Sequence, residues 1–303
     1  MTDQNDRPVV AIDRLTVRYG RTTAVADLTL QVAAGRVYAL LGRNGAGKTS
    51  ILRCLLGQRR TAAGSVRLFG LDAWRHRARL MERVGVVPER GEVPPDMTAR
   101  RLATLLSALH PTWHGKDFED RLDRFQIPTN RRFRQLSKGQ QRQLSLSLAL
   151  ACRPALLVLD DPTLGLDAVA RRELLEELIG DLADHGTTVL VATNDISGIE
   201  GVADRIGILH GGVLLLDDDL EAVKARFRRL VVSNRETVQR LREATGERLE
   251  VVRSSASGGG YEAVVAWSEL PEPTAAMPGS RLEAMSLEDI FVALCGTENG
   301  GQP

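Results

Sequence analysis

The 303-residue chain is predicted to be an α/β protein built on a mostly parallel sheet, with a helical insertion and a small C-terminal α+β unit. Three observations carry this expectation. Almost wholly apolar runs such as "RVYALLG" and "PALLVLD" read as strands buried on both faces. Helix-patterned stretches separate those runs, as crossovers in a parallel sheet require. Beyond about residue 228 the texture shifts to shorter, more polar segments.

Taken in order, residues 9–40 alternate in strand fashion through "VVAIDRLTVRYG", "TTAVADLTLQV" and "RVYALLG". After Gly42 the spacing turns helical in "KTSILRCLLG", with Gly57 placed to end the helix. "GSVRLFG" and "ERVGVVPE" read as further strands, and residues 91–152 as mostly helical, punctuated by Pro94, Pro95, Pro111 and Pro128. Strand and helix then alternate: strand 155–160, helix 168–184, strand 187–192, helix 196–203 and strand 205–210. In the final segment, "ETVQRLREAT" reads as a helix, "RLEVVR" and "YEAVVAW" as strands flanking the turn "SSASGGG", and "MSLEDIFVALCG" as a last helix. The expected domains are 8–228, with a helical subdomain at about 91–152, and 229–303.

A hydrophobic content of 43% and a charged content of 26% describe an ordinary globular protein. The formal net charge of +1 argues against a dedicated nucleic-acid binder, and no nucleic acid is expected as a partner. Cys54, Cys152 and Cys295 have neither metal-like nor disulfide-like spacing and read as free thiols. The polar start "MTDQNDRPVV" lacks a signal-sequence pattern, and no apolar run reaches the roughly 18 residues of a membrane helix. Basic runs at 74–79, 131–134 and 226–229 read as solvated faces or subunit contacts, and Trp113 and His114 as packing residues of the helical part.

The most informative stretch is "GRNGAGKTS", residues 42–50, comprising Gly42, Arg43, Asn44, Gly45, Ala46, Gly47, Lys48, Thr49 and Ser50. It fits G-x-x-x-x-G-K-[ST] between a strand and a helix, the context in which this pattern cradles phosphate. Glycines let successive N–H groups face one anion, and the helix start adds partial positive charge. Lys48 is expected to reach β- and γ-phosphates, and the Thr49 hydroxyl to ligate Mg²⁺. Asp160, at the end of "ALLVLD", is the expected companion acid, because open α/β sheets place ligand chemistry at the carboxyl edge of their strands. A second anion-facing helix start follows Ser137 in "LSKGQQRQLSLSLALA".

From about Val9 to Asp219, the ordered motifs resemble the ATP-binding subunit of an ABC transporter, specifically the bacterial ABC-2-type exporter branch. The resemblance rests on Tyr19 in "RYG", the Walker A loop at 42–49, "VVPE" at the Q-loop position and the signature "LSKGQ". It continues through the Walker B strand 156–161, the D-loop "LGLD" and the switch region "VATND". It implies a P-loop NTPase core of ABC type with an antiparallel β subdomain and an inserted helical subdomain. It also implies MgATP, with Tyr19 stacking on adenine and Glu89 beside the metal. Ser137, Lys138, Gly139, Gln140 and Asp167 would reach the nucleotide of a second ATPase subunit, identical or not. An integral membrane permease would hold the pair at the inner face of the cell membrane, with its contact placed at about residues 89–100. Soluble ABC proteins acting on ribosomes or DNA generally carry two nucleotide domains or a long coiled-coil insertion, and this chain has neither.

Two positions depart from that family's pattern at the water-attack site. Asp161 stands where a glutamate polarises the attacking water, and Asn194 where a histidine contacts the γ-phosphate. Glu89 replaces the usual Q-loop glutamine, as it often does in exporter relatives. Losing one methylene retracts the carboxylate by ~1.5 Å, and a misplacement of about 1 Å costs on the order of 10²-fold, or roughly 2.7 kcal/mol. The intrinsic acidity difference of about 0.4 pK units is worth only ~0.5 kcal/mol, so position outweighs acidity. Asn194 retains a donor but cannot carry charge near neutral pH. The expectation is an ATPase of ordinary or reduced rate driving export, with a non-hydrolysing ATP sensor or half of a heterodimer as the alternative.

Overall fold

The computed structural model describes residues 8–89, 93–245, 249–257, 260–267 and 280–296. It divides into two compact units, residues 1–217 and 218–303.

The first unit opens with β1 (Val10–Tyr19), β2 (Thr22–Val32) and β3 (Val37–Gly42), followed by α1 (Lys48–Leu55). Then come β4 (Ala63–Leu68), β5 (Leu71–Asp72), α2 (Arg77–Met81) and β6 (Val84–Val87). The helical segment holds α3 (Ala99–Leu109), α4 (Gly115–Arg124), a 3₁₀ turn at Phe133–Gln135 and α5 (Lys138–Ala151). After it come β7 (Leu156–Asp160), α6 (Ala168–His185), β8 (Thr188–Thr193), α7 (Ile196–Ile199), β9 (Arg205–His210) and β10 (Val213–Asp219).

The main sheet has the order β10-β9-β3-β8-β7-β6. β3 pairs in parallel with both β8 and β9, and β7 with both β8 and β6. Every residue of β3, β7 and β8 is buried, which explains their unbroken apolar runs: helices or other layers cover both faces. β10 was not expected from the sequence. Its half-exposed edge position leaves "VLLLDDD" without the burial pattern of a central strand. Gly211 and Gly212, both with positive φ (55° and 82°), form the two-residue turn joining β9 to β10.

A second, antiparallel sheet has the order β2-β1-β4-β5, as the resemblance implied. Val10, Ile12, Leu15 and Val17 from β1 and Val25, Leu28, Leu30 and Val32 from β2 join Ile51, Leu52 and Leu55 of α1 in the main core. The helical segment has its own core, with Leu102, Phe118, Leu122, Phe125, Leu144 and Leu148. Trp113 packs there with its ring 5.2 Å from that of Phe118, as expected.

Arg121 of α4 is buried and donates to Glu177 (2.6 Å) and Asp181 (3.3 Å) of α6. Arg124 shares Glu177, and His185 lies 3.2 Å from Asp181. This ion cluster is where the helical segment is fastened to the core by charge.

The second unit contains α8 (Leu220–Arg226), β11 (Phe227–Val232), α9 (Arg235–Thr245), β12 (Leu249–Ser257), β13 (Gly260–Trp267), β14 (Arg281–Ala284) and α10 (Leu287–Cys295). Its antiparallel sheet runs β12-β13-β11-β14, with Leu230, Val232, Val238, Ala263, Val265 and Trp267 forming a separate core. The division at 217/218 falls ahead of the expected 228/229 because α8 runs directly into β11 and packs with it. β11 and β14 were missed by the sequence reading. Residues 258–259 of the "SSASGGG" turn and 90–92 of the expected permease segment lie outside the described residues, as do residues 1–7.

The three basic runs are largely engaged. Arg132 and Arg134 pair with Asp96, Arg226 with Asp218, and Arg229 with Asp289, while Arg77 donates to the Leu56 carbonyl. Cys54, Cys152 and Cys295 are buried and form no disulfide among the described residues, and burial pushes the Cys152 thiol up to about 11.

Removing Arg121 leaves Glu177 and Asp181 buried without their main cation, so Arg121→Ala is expected to destabilise the chain by about 3–5 kcal/mol. Urea denaturation against the unmodified chain measures this.

Candidate active site

Strand register builds the site. Leu40 pairs with Ala192, and Ala192 with Asp160, so the carboxyl ends of β3, β8 and β7 lie in one row. Val87 pairs with Leu159 and brings the end of β6, with Pro88 and Glu89 just beyond it, to the same edge. The phosphate loop, the two aspartates, Asn194 and Glu89 are therefore neighbours, although 150 residues separate Asn44 from Asn194.

The loop leaves β3 at Gly42 and enters α1 at Gly47, whose φ of 112° is open only to glycine. A Cβ there would also stand 2.6 Å from the Ala24 carbonyl oxygen. Ala46 N–H closes the loop onto the Arg43 carbonyl at 3.0 Å. Lys48 is buried, and its Nζ donates to the Gly42 carbonyl at 2.7 Å. Burial lowers the Lys48 ammonium below the ordinary lysine range, against the opposing pull of Asp161, Asp160 and Glu89. The Thr49 hydroxyl donates to Asp160 Oδ2 at 3.2 Å. Asp160 Oδ1 is buried and has no hydrogen-bond partner.

Asp161 sits in the left-handed region at φ 44°, its N–H bonded to the Ala192 carbonyl at 2.7 Å. Its Oδ1 accepts the Asn194 backbone N–H at 3.0 Å. The Asn194 side-chain amide in turn donates to Asn44 Oδ1 of the phosphate loop at 3.0 Å. The two residues that depart from the family pattern are thus bonded to each other and to the loop. Next to them, Asp195 accepts from Thr163 (2.7 Å) and pairs with Arg171 (3.3 Å), tying the turn after β7 to the turn after β8.

In the first turn of α1, the Ser50 hydroxyl donates to the Tyr19 hydroxyl at 3.3 Å, and Arg59 lies 3.7 Å from the Tyr19 ring centroid. Burial raises the Tyr19 phenol, but hydrogen bonds from Ser50 and Arg53 and the Arg59 and Arg53 charges outweigh it, and the group titrates below the ordinary range. Tyr19 is 37% exposed, with Arg59 lying over its ring.

The signature residues stand apart from that cluster, at the start of α5. Ser137 Oγ accepts the Gln140 N–H at 3.1 Å and the Gln140 side chain accepts the Ser137 N–H at 3.2 Å, a complete capping box. Lys138 is exposed, and Gly139 lies within this box. A Cβ on Gly139 would meet its nearest neighbour, the Ala170 Cβ, at an ordinary 3.7 Å. Packing within the chain therefore does not require glycine there. Asp167 caps α6, its Oδ1 accepting the Ala170 N–H at 2.9 Å.

Sequence reasoning missed Arg142, which extends from α5 to donate to both the Pro88 and the Glu89 carbonyls. A lone cation within "QQRQLSLSLALA", on the way into an apolar helix, was the available signal. It also missed Arg59, Thr163 and Asp195, whose roles depend on contacts across the fold.

Comparison with known proteins agrees with this geometry. The ABC transporter family matches residues 25–164. The Nod factor export ATP-binding protein I of Ralstonia nicotianae is 32% identical over 320 residues, covering 96% of this chain and 95% of that protein. The bacitracin transport ATP-binding protein BcrA of Bacillus licheniformis is 32% identical over 73% of each chain. Among solved structures, a dimeric bacterial ABC transporter cassette overlays with a TM-score of 0.63 at 22% identity, covering 70% of this chain and 98% of that one, which speaks to fold alone. The phosphate loop, the acidic strand end, the signature helix start and these likenesses converge: the chain belongs to the ABC transporter family, as an ATP-binding ATPase subunit.

Proposed function

We propose that this chain binds MgATP between two ATPase subunits, hydrolyses it slowly, and drives export through a separate membrane permease. The observation that carries the reading is the single carboxyl edge on which Lys48, Thr49, Asp160, Asp161 and Asn194 meet.

The residues fit a magnesium ion. Asp160 Oδ1 is a buried acceptor without a partner, beside the Thr49 hydroxyl, and a hard cation held by one carboxylate, one hydroxyl and phosphate oxygens needs no larger cluster. Once bound, the ion would neutralise charge on the β- and γ-phosphates. Lys48 exchanges the Gly42 carbonyl for phosphate oxygens, and the α1 N-terminus adds its partial charge. The exposed ring of Tyr19 offers a stacking face for adenine while Arg59 and Ser50 hold its orientation.

Ser137, Lys138, Gly139 and Gln140 meet the nucleotide of the second subunit. Gly139, unforced by packing within its own chain, leaves room for a close approach there. That a cassette of this fold is dimeric supports the pairing of two subunits. Capping of α6 by Asp167 fixes the D-loop that lines the same interface.

Slow hydrolysis follows from the Asp161–Asn194–Asn44 chain. Asp161 is a methylene short and has one carboxylate oxygen occupied by the Asn194 N–H, leaving Oδ2 to polarise water. The Asn194 amide is engaged with Asn44 of the phosphate loop. A nucleotide sensor without turnover is the second reading, favoured by the same chain of bonds, and phosphate release separates the two.

A cavity of about 790 Å³ lies between the main sheet and the helical segment. Leu52, Val93, Pro94, Leu102, Leu105 and Leu148 line it, and Glu89 and Asp160 lie at its polar end. A largely apolar groove that reaches Glu89 and Asp160 is suited to receive a permease segment and report its position. Among the described residues no helix is long and apolar enough to cross a membrane, so membrane attachment would come through that partner. The name of one relative, Nod factor export ATP-binding protein I, supports export as the direction.

Lys48→Ala removes a charge-assisted contact and is expected to weaken ATP binding about 10- to 100-fold, read by fluorescence titration; unchanged affinity would refute the reading. Asp161→Glu combined with Asn194→His is expected to raise phosphate release by one to two orders of magnitude, roughly the loss ascribed to misplacement. If neither the single nor the double variant is faster, Asp161 is not limiting.

Burial raises the Asp160 carboxyl above the ordinary range; the Thr49 hydroxyl and Lys48 oppose this, and Asp161 and Glu89 reinforce it. The folded chain thus holds that proton more tightly than the unfolded chain, so ionised Asp160 costs stability above its folded pKa and ceases to do so below the ordinary aspartate value. Asp160→Asn is expected to raise the denaturation midpoint of the nucleotide-free chain at pH 7 and to abolish the magnesium dependence of nucleotide binding.

A further inference from the structure

We infer that Arg142 is a positioning residue that ties the signature helix to the loop bearing Glu89, so that closure of Ser137 on one nucleotide is felt at the acidic edge facing the other. The inference rests on the two-subunit site proposed above.

α5 is a single 14-residue helix whose first turn is fixed by the Ser137–Gln140 capping box. Arg142 lies five residues after Ser137, a little over one turn and roughly 7–8 Å along the axis. Both ends of its guanidinium are used: Nη1 donates to the Pro88 carbonyl and Nη2 to the Glu89 carbonyl. These acceptors belong to the main chain, so the contact grips the course of the loop itself. Arginine suits this task because its planar fork holds two acceptors in fixed relation, which a lysine cannot do.

The rest of α5 leaves little freedom to absorb a displacement. The helix packs against β6, the strand that delivers Pro88 and Glu89. Gln141, next to Arg142, donates to the Phe133 and Leu136 carbonyls, and Gln143 donates to Glu173 of α6 at 2.7 Å. A push at Ser137 therefore moves α5 as a body, and Arg142 is its link to the catalytic edge. Coupling through a rigid helix and two hydrogen bonds is a contiguous physical path.

Charge gives the link a second consequence. Burial pulls the Arg142 guanidinium below its ordinary range, while Glu89, Asp161 and Asp160 pull it back up. Arg142 thus shares with Lys48 the balancing of three carboxylates.

Two measurements on the full chain test the coupling. One is the affinity of the dilute chain for a fluorescent ATP analogue with magnesium. The other is the ATP concentration that half-dimerises the chain, read by sedimentation velocity. Arg142→Gln is expected to leave the first within about twofold and to raise the second about tenfold, the scale of one charge-assisted contact. Arg142→Lys, which keeps the charge and loses the fork, is expected to fall between.

Dimerisation of Arg142→Gln at unchanged ATP concentration would overturn the inference. So would equal losses in both measurements, which would make Arg142 a nucleotide-binding or merely structural residue. A native chain that binds ATP without dimerising also overturns the coupling, whereas one that binds no ATP strikes the functional reading instead. Should Arg142→Gln melt below the working temperature, Arg142→Lys decides by the same pair of measurements.

Discussion

Parallel pairing of four strands is the constraint on which everything else depends. Because β6, β7, β8 and β3 run in the same direction and in register, their carboxyl ends finish side by side. Each end supplies a different group: Glu89 beyond β6, Asp160 and Asp161 at β7, Asn194 after β8, and the phosphate loop after β3. A one-residue slip would exchange the faces of every side chain on a strand and separate Asp160 from Thr49. Because β3, β7 and β8 are buried throughout, a slip would disturb close packing on both faces at once. The stability of the sheet and the precision of the site thus have a common source.

Charge at that edge is arranged for a ligand rather than for the folded chain alone. Lys48 and Asp160 are both buried, and burial disfavours the ionised form of each. Asp160 Oδ1 lacks a hydrogen-bond partner among the described residues. A purely structural design would replace these groups with apolar ones or pair them fully. A phosphate tail and a divalent cation would satisfy what the fold leaves incomplete. The Arg121–Glu177–Asp181 cluster shows the contrast, for there buried charges face one another across α4 and α6 and are largely satisfied internally.

Much of this was legible in the residues. The apolar runs of β3, β7 and β8 and the N-capping Ser137 carry their structure in local patterns of two or four residues. The edge strands β10 and β14 and the inner strand β11 did not, because partial exposure and mixed charge hide the alternation that marks a strand. The bond between Asp161 and Asn194 was also beyond reach. Each position could be seen to depart from the family pattern, but their contact exists only because β7 and β8 end together.

Composition and motif order alone determined the α/β class, the phosphate-gripping loop around Lys48, the acid at Asp160 and the anion-facing start of α5, because each depends on neighbours within a few residues. Tertiary structure decided how those parts meet. It set the tie from Asn194 to Asn44, the unpartnered Asp160 oxygen, the reach of Arg142 to the Pro88 and Glu89 carbonyls, and the placing of α8 with the second unit. These contacts join residues tens to more than a hundred positions apart, and no local pattern encodes a distance that only the packed chain creates.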